Sequence, residues 1–319
     1  MPAPHFEPFG PPAPIKTAVM VHVGPHKTGT TWLQQQVLAK ARGIEPCLDF
    51  NKTHRAFLTP NFRQFAVDKV ANIFADNIAS AEQQSIPLVM SDEALGGYAF
   101  AHKYLREVAA FRVRAAFPEA KILLTIRQQD KLLASLYCEY LRNGHSACLR
   151  DFISQETFHP NVEPFLDLSF YKWDRVIRFY RELFGEDRVL ALPMEWMVAN
   201  PGGSIRKLEE FLGKPLRLGP EEIDTRPERP SLSGWALTTL RIANRFHAQD
   251  VRTRKPQGFL SPNSLAYRVD RITPRWARRR SKQRALRTIE TLIGEHFRES
   301  NRECARLTNF DLAELGYMA

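Results

Sequence analysis

Short apolar runs alternate with longer amphipathic segments over most of the first 215 residues. The apolar runs are rich in Val, Leu and Ile and end at turn residues, so they predict buried parallel strands at 17–23, 86–95, 120–127 and 188–195. Apolar residues spaced three and four positions apart predict helices directly after residue 30 and at 61–84, 101–117, 129–145, 169–185 and 201–213. Strands that alternate with helices in this way predict an α/β fold in which helices cover a central parallel sheet.

Beyond about residue 215 the alternation stops. Segments marked by proline and glycine flank one predicted helix at 233–247, and further helices are expected at 275–297 and 299–307. We therefore expect a single domain over 16–319, with 215–319 as its helical and loop-rich C-terminal portion. Residues 1–15 are rich in proline and lack a long apolar run, which predicts a disordered lead-in that is neither a signal peptide nor a membrane span.

The composition is that of a globular protein, but its charge is unusual. The chain has 319 residues, of which 44% are hydrophobic and 25% charged, and its formal net charge is +10. Such a charge indicates an anionic partner without choosing among a nucleotide, a polyanionic glycan, nucleic acid and a membrane surface. The four cysteines show no metal-ligand spacing and predict reduced thiols in a cytoplasmic protein.

The stretch VHVGPHKTGTTW, from Val21 to Trp32, joins the first predicted strand to the helix that follows it. Its glycines have the spacing of a nucleotide-triphosphatase phosphate loop, Gly-x4-Gly, but Thr30 occupies the position of the usual lysine. Lys27 instead comes two residues before Gly29. No Asp-rich strand end that would hold magnesium is evident, since the third predicted strand ends in Arg127 and the fourth in Pro193-Met194-Glu195. This pattern favours an anhydride that needs neither a γ-phosphate nor a metal ion.

A loop between a strand and a helix offers backbone N–H groups and a positive helix end to an anion. Gly24 and Gly29 would let the backbone close around phosphate oxygens. Thr30 and Thr31 would add hydroxyl donors in the first helical turn, and Lys27 would add a point charge. The expected architecture is therefore a P-loop-like, three-layer αβα fold.

The segment PHKTGTTW closely resembles the 5′-phosphosulfate-binding loop of the sulfotransferases, usually Pro-Lys-Ser-Gly-Thr-Thr-Trp. Here His26 is inserted after the proline, and Thr28 replaces the serine. The resemblance implies that one continuous segment binds the cofactor: Gly24, Pro25, His26, Lys27, Thr28, Gly29, Thr30, Thr31 and Trp32.

A second stretch, ILLTIRQQDKLLASLYCEY, resembles the 3′-phosphate motif of the same family. Arg127 ends a predicted strand, Ser135 follows eight residues later and Tyr137 two residues after that. An arginine at the carboxyl edge of a strand lies where open α/β sheets bind ligands, and a serine in the next helix could reach the same phosphate. The late stretch RTRKPQG adds Arg254 and Lys255 as candidates for that phosphate.

A third resemblance covers the last predicted strand and the segment after it, RVLALPMEW. Met194 stands where the family has a tyrosine, and Trp196 stands where it has an aspartate. The tail at 300–317 is similar to that of many bacterial members.

The resemblance implies a reaction as well as a fold. The donor would be 3′-phosphoadenosine-5′-phosphosulfate, and its sulfuryl group would pass in line to an acceptor hydroxyl or amine without a metal. Lys27 would neutralise the charge that develops on the bridging oxygen. The acceptor is left open, with a glycan or a lipid-linked glycan as possibilities.

The general base is the least determined part of the site. Glu93, near the end of the predicted strand segment 86–95, matches the place of the catalytic histidine in the cytosolic sulfotransferases that the chain resembles, and Asp92 lies beside it. His54 follows Lys52 and Thr53, which reproduces the Lys-Thr-His letters of that family, but no strand is predicted before it, so we interpret the match as coincidence. Glu93 is the leading candidate, His54 the second, and His26 in the loop is a further one.

The run from Arg271 to Arg287 holds eight basic residues and no acid. It is either a solvated helical face or a docking surface for an acidic acceptor or an anionic membrane. No recognised nucleic-acid-binding module accompanies it, so nucleic acid is not expected as a partner.

Two other functions compete with sulfuryl transfer. A P-loop phosphotransferase is disfavoured by the position of Lys27 and by the missing magnesium ligands. A catalytically silent nucleotide-binding or scaffold protein is disfavoured by the presence of Lys27, Arg127 and Ser135 together.

Overall fold

One parallel sheet of five strands organises the part of the chain that carries the predicted phosphate loop. The computed structural model describes residues 15–98, 105–155, 166–225, 232–246 and 261–318. The strands are β1 (Val19–His22), β2 (Glu45–Cys47), β3 (Leu88–Ser91), β4 (Lys121–Ile126) and β5 (Val189–Pro193). Their order in the sheet is β2-β3-β1-β4-β5, so the strand that feeds the loop is central. The predicted α/β fold with a central parallel sheet is confirmed.

Helices connect these strands and form most of the remaining described chain. They are α1 (Thr30–Trp32), α2 (Phe50–Thr53), α3 (Val67–Ile73), α4 (Ala75–Gln84), α5 (Arg106–Ala116), α6 (Gln129–Arg142), α7 (Leu149–Ile153), α8 (Trp173–Phe184), α9 (Met194–Ala199), α10 (Pro201–Leu212), α11 (Gly234–Arg245), α12 (Pro262–Ile272), α13 (Arg275–Ile293) and α14 (Arg298–Thr308). The short helices α1 and α2 continue as π-helical segments over Leu33–Leu38 and His54–Leu58.

The chain divides into two compact units. The first comprises the described parts of Met1–Arg127, Lys172–Arg226 and Ser300–Gly316 and contains the whole sheet. The second comprises the described parts of Gln128–Tyr171, Pro227–Glu299 and Tyr317–Ala319 and is built from helices. The single domain over 16–319 and its helical portion 215–319 stay predictions. Residues 1–14 of the expected lead-in lie outside the described residues.

The core of the first unit explains the composition of its strands. Every residue of β1 and β3 is buried, which is why these strands are continuous apolar runs rather than alternating ones. Met20, Val89 and Leu123 from three neighbouring strands join one apolar cluster with residues of α1 and α10. The predicted aromatic helix is also confirmed, since Trp173 and Tyr180 of α8 are almost fully buried.

Three elements differ from the sequence prediction. The predicted helix 61–84 is two helices, because the chain breaks at the buried residue Phe74 between α3 and α4. The strand β2 was not predicted, since it has only three residues and Pro46 is one of them. The helix α12 was not predicted either, because Pro262 was taken as a loop residue whereas it occupies the first turn of that helix.

Candidate active site

The loop between β1 and α1 has an unusual backbone. Lys27 has a φ of 69° and Gly29 a φ of 92°, so two residues of the loop adopt the left-handed region. Glycine enters this region freely, whereas a lysine there is uncommon and requires support from its surroundings. Left-handed residues in a turn before a helix are a feature of anion-binding backbone nests. The local geometry therefore agrees with the phosphate-binding role predicted from the glycine spacing.

Two glycines allow this loop to pack closely against its neighbours. A Cβ atom added to Gly24 would lie 1.9 Å from the Thr125 hydroxyl and 2.5 Å from Nε2 of His22. A Cβ atom on Gly96 would lie 2.4 Å from the carbonyl oxygen of Val23 at the start of the loop. These distances are far below ordinary contact, so glycine is required at both positions for the observed packing.

A buried chain of hydrogen bonds supports the loop from behind. The Thr28 hydroxyl donates to the carbonyl of Pro25 at 2.6 Å and lies 2.8 Å from the Thr125 hydroxyl. Nε2 of His22 lies 3.0 Å from Thr125, and Nδ1 lies 2.8 Å from the Ser91 hydroxyl. The amide of Gln34 donates to that hydroxyl at 3.0 Å. The chain thus links β1, β3 and β4 to both ends of the loop.

The proton positions along this chain follow from the donor inventory. Thr28 uses its only proton on Pro25, so Thr125 must donate to Thr28 and accept from Nε2 of His22. The Ser91 hydroxyl can donate to Nδ1 of His22 or accept from it, so the charge of the ring decides this bond, and in a neutral imidazole Nδ1 accepts. Burial lowers the pKa of His22 to about 3, although the charge of Glu93 opposes that shift, which agrees with a neutral ring.

This chain of hydrogen bonds was not predicted from the sequence, although the sequence contains a pattern that indicates it. His22, Ser91 and Thr125 are polar residues at or near the carboxyl ends of three apolar strands. Register places His22 opposite Ser91, and the parallel sheet gathers such ends at one edge. A polar residue at the same end of each neighbouring strand could have predicted the cluster.

Glu93 lies directly against the loop. Its Oε1 is 2.8 Å from Nδ1 of His26, and both side chains are partly exposed. Tyr98 lies edge-on to the His26 ring at 4.6 Å. Burial raises the pKa of the Glu93 carboxyl, but the hydrogen bond from His26 and the charges of His26 and Lys27 outweigh it, so the pKa lies below its usual range.

His54 approaches the same strand end through a different carboxylate. Its Nε2 is 3.5 Å from Oδ2 of Asp92, which also accepts a hydrogen bond from Thr53. The other oxygen of Asp92 caps the turn Glu93–Gly96 by accepting from the N–H of Ala94 at 2.8 Å. The expectation that no strand precedes His54 was wrong, because β2 does. Both predicted bases therefore lie close to the carboxyl end of β3.

Arg127, predicted as a 3′-phosphate ligand, directly follows β4 and contacts the loop. Its guanidinium donates to the carbonyl oxygen of Lys27 at 2.7 Å, and its own carbonyl accepts from the indole of Trp173 at 2.9 Å. A cation therefore supports the left-handed residue of the loop from the neighbouring strand end.

The other predicted ligands are distributed as follows. Ser135 is half-buried on α6 in the second unit, whereas Arg127 belongs to the first. Arg254 and Lys255 lie outside the described residues. Trp32 is buried and donates its indole N–H to the carbonyl of Asp224 at 2.9 Å. These cofactor contacts stay predictions.

The first helical turn and its neighbour complete the loop. Thr31 is exposed, while Thr30 is buried with its hydroxyl 3.4 Å from the carbonyl oxygen of Gly24. Met194 packs over Gly29, since a Cβ atom there would lie 2.8 Å from Cγ of the methionine. The residue that replaces the family tyrosine thus contacts the loop. Within the ranges that the structure describes, no group of three His, Cys, Asp or Glu residues could hold a metal ion.

Comparison with known proteins agrees with the geometry. A model of the sulfotransferase family matches residues 20–217, which include most of β1, the loop, Glu93 and Arg127. A sequence search of curated proteins finds no match.

Several solved structures are similar to this chain at low identity. A sulfotransferase from Alicyclobacillus acidocaldarius is 17% identical, with a TM-score of 0.48 over 67% of this chain and 87% of that one. The sulfotransferase domain of the Synechococcus PCC 7002 olefin synthase is 14% identical, with a TM-score of 0.40 over 88% of this chain and 96% of that one. Mouse SULT7A1, solved in complex with PAP, is 13% identical, with a TM-score of 0.40 over 94% of this chain and 90% of that one.

Proposed function

Because the chain belongs to the sulfotransferase family, we propose that it transfers a sulfuryl group from 3′-phosphoadenosine-5′-phosphosulfate to an acceptor hydroxyl or amine. The observation that carries the proposal is the loop between β1 and α1, where a left-handed Lys27 is held by Arg127 beside a helix N-terminus. The acceptor is proposed to be a glycan or lipid-linked glycan. All four cysteines are free thiols, which supports a cytoplasmic location.

The loop residues fit the donor's 5′ end. Backbone N–H groups at the start of α1, with the hydroxyls of Thr30 and Thr31, would bind the 5′-phosphate. The ammonium of Lys27 would neutralise the bridging oxygen as its bond to sulfur breaks. Arg127 would hold the loop and contribute positive charge. No metal is required for this arrangement, because the cations come from the protein.

Glu93 is the base that we propose. A new bond forms between the acceptor oxygen and sulfur, the bond from sulfur to the bridging oxygen breaks, and the acceptor proton passes to the carboxylate. The lowered pKa keeps Glu93 ionised at neutral pH, so it is ready to accept. One oxygen accepts from His26, which fixes the carboxylate beside the loop. His54 is the second candidate, supported by its position near the same strand end.

The test of function is transfer of radiolabelled sulfuryl groups from the donor to a panel of phenols, glycans and lipid extracts. Lys27→Ala should lower kcat by about 10²- to 10³-fold, because the charge on the leaving oxygen loses its counter-charge. Lys69→Ala, at an exposed lysine of α3, is the matched control and should transfer at the wild-type rate. Equal turnover by the Lys27 variant would refute the proposed role of the loop.

The base is tested with three variants of similar size change. Glu93→Gln should lower kcat by about 10²- to 10⁴-fold, whereas His54→Asn should leave most of the activity. His26→Gln keeps a hydrogen-bond donor and should have an intermediate effect. Loss of turnover in the His54 variant alone would instead make His54 the base.

A further inference from the structure

Helix α13 exposes a row of cations in the second unit. Arg275, Arg279, Arg280, Arg284 and Arg287 are all exposed, and none of them forms an ion pair within the described ranges. Arg278 is the contrasting case, because it turns inward and pairs with Asp270 at 3.0 Å. The run predicted from the sequence is therefore a solvent-facing surface rather than a set of internal salt bridges.

Exposed apolar side chains lie within this basic surface. Trp276 is 63% exposed and Trp235 is 50% exposed, and their rings meet edge to face with centroids 6.3 Å apart. Positions 276, 279, 280 and 287 share one face of α13, because residues three, four and seven apart lie above one another. Ile272, the last residue of α12, is 78% exposed. Trp276 therefore lies on the same side of α13 as Arg279, Arg280 and Arg287.

Hydrogen bonds at the start of α11 fix the position of Trp235 relative to Trp276. The hydroxyl of Ser281 accepts from the N–H of Gly234 at 3.1 Å, and a Cβ atom on that glycine would lie 2.5 Å from Cβ of the serine. Ser233 donates its N–H to Asp270 at 2.7 Å, and its hydroxyl lies 3.1 Å from that of Thr273. The start of α11 is therefore fixed against α13, which places Trp235 beside Trp276.

We propose that this surface, formed by Trp235, Ile272, Trp276 and the exposed arginines of α13, docks the protein on an anionic phospholipid membrane. The arginines would bind lipid phosphates, while the indole rings and Ile272 would enter the interfacial region, where amphipathic aromatic rings are favoured. A soluble polyanion would match the arginines but gains little from exposed apolar side chains such as Trp276 and Ile272. No helix of the described chain is long and apolar enough to span a bilayer. The proposed contact is peripheral, because exposed side chains of α11, α12 and α13 make it.

The proposal is tested by sedimentation with vesicles. The full-length protein should bind vesicles of mixed phosphatidylcholine and phosphatidylglycerol, should bind phosphatidylcholine alone weakly, and should release at high salt. Replacing Arg279, Arg280 and Arg287 by Gln should weaken binding about 100-fold, given about fivefold for each cation. The control changes Arg63, Lys69 and Lys214, three exposed cations of the first unit, to Gln and should bind like the wild type.

A second variant tests the aromatic part. Trp276→Ser should bind anionic vesicles more weakly than the wild type and show a smaller blue shift in tryptophan emission on binding, while keeping its affinity for heparin. If the wild-type protein bound heparin but not anionic vesicles, the surface would be a polyanion site and the proposal would be overturned. Equal losses in the two triple variants would also overturn it, because net charge alone would then explain binding. None of these readouts uses the sulfuryl donor, so they are independent of the proposed catalytic function.

Discussion

The loop between β1 and α1 and the exposed surface of α13 are both rich in polar groups, but the polar groups behind the loop are buried and those on α13 face solvent. Behind the loop, four buried side chains form hydrogen bonds with one another: His22, Ser91, Thr125 and Thr28. On α13 all the arginines except Arg278 are exposed, and those exposed arginines form no ion pair within the described ranges.

This difference determines what a substitution costs. A buried polar group that loses its partner retains the full cost of desolvation, so each position in the chain behind the loop is individually important. An exposed cation contributes through a field that neighbouring cations share and that salt screens. The first region should therefore respond to single changes, and the second only to several changes together.

The largest effect should come from His22→Ala. This change leaves the hydroxyls of Ser91 and Thr125 without their central partner and opens a cavity at the end of β1. We expect the free energy of unfolding to fall by about 2–5 kcal/mol. Urea denaturation measures it, and Thr125→Ser, which keeps the hydroxyl, should lose less. A loss no larger than in that control would mean that the hydrogen bonds made by His22 do not stabilise the fold.

The same residue predicts a pH dependence. The pKa of His22 falls from 6.5 to about 3 on folding, so the unfolded chain binds the proton more readily between these values. Its stabilising contribution is complete above pH 6.5 and is lost as pH falls toward 3. The melting temperature of the wild type should therefore decline more steeply below pH 6.5 than that of His22→Asn. Parallel declines would contradict the assignment of a neutral ring.

Gly24→Ala should have the next largest effect. The added methyl group would occupy the position 1.9 Å from the Thr125 hydroxyl, so the loop must shift. Overpacking of this kind costs about 1–3 kcal/mol of unfolding free energy. Gly202→Ala, where the nearest atom would be 3.6 Å away, is the control and should be well tolerated. Similar melting curves for both variants would show that the loop is not tightly packed.

Smaller effects are expected in the second unit. Ser233→Ala removes the side chain that caps α11, whose hydroxyl accepts from Ala236 at 3.3 Å, and should cost about 1 kcal/mol. Arg279→Ala, at an exposed position of α13, should change the unfolding free energy by less than about 0.5 kcal/mol. Thermal unfolding of the two variants compares a structural polar group with an exposed cation. A larger loss of unfolding free energy for Arg279→Ala than for Ser233→Ala would contradict the distinction between buried polar groups and exposed cations.

Local sequence signals were sufficient for much of the fold and for the loop. The predicted strands at 17–23, 86–95, 120–127 and 188–195 correspond to β1, β3, β4 and β5, because each of these strands is a mostly buried apolar run of four or more residues. The glycine-containing loop was predicted between a strand and a helix, and it lies between β1 and α1. What could not be predicted depended on residues far apart in sequence.

His26 and Glu93 illustrate that limit. Nothing in the letters around either residue indicates that Nδ1 and Oε1 lie 2.8 Å apart, since 66 residues separate them and the sheet order brings them together. The pairing of β2 with β3 likewise moved His54 to the same strand end, although β2 is too short to be recognised by pattern. The pairing of Trp276 on α13 with Trp235 on α11 also depends on how the two helices pack, which local sequence does not show.

The most direct test of the central claim is a calorimetric titration of adenosine 3′,5′-bisphosphate into the wild-type protein in the presence of a metal chelator. We predict saturable binding at one site, which weakens strongly in Gly24→Ala, where the loop is displaced, and less in Glu93→Gln. Failure to bind the bisphosphate, together with binding of ATP that requires magnesium, would contradict the account and indicate a phosphotransferase instead.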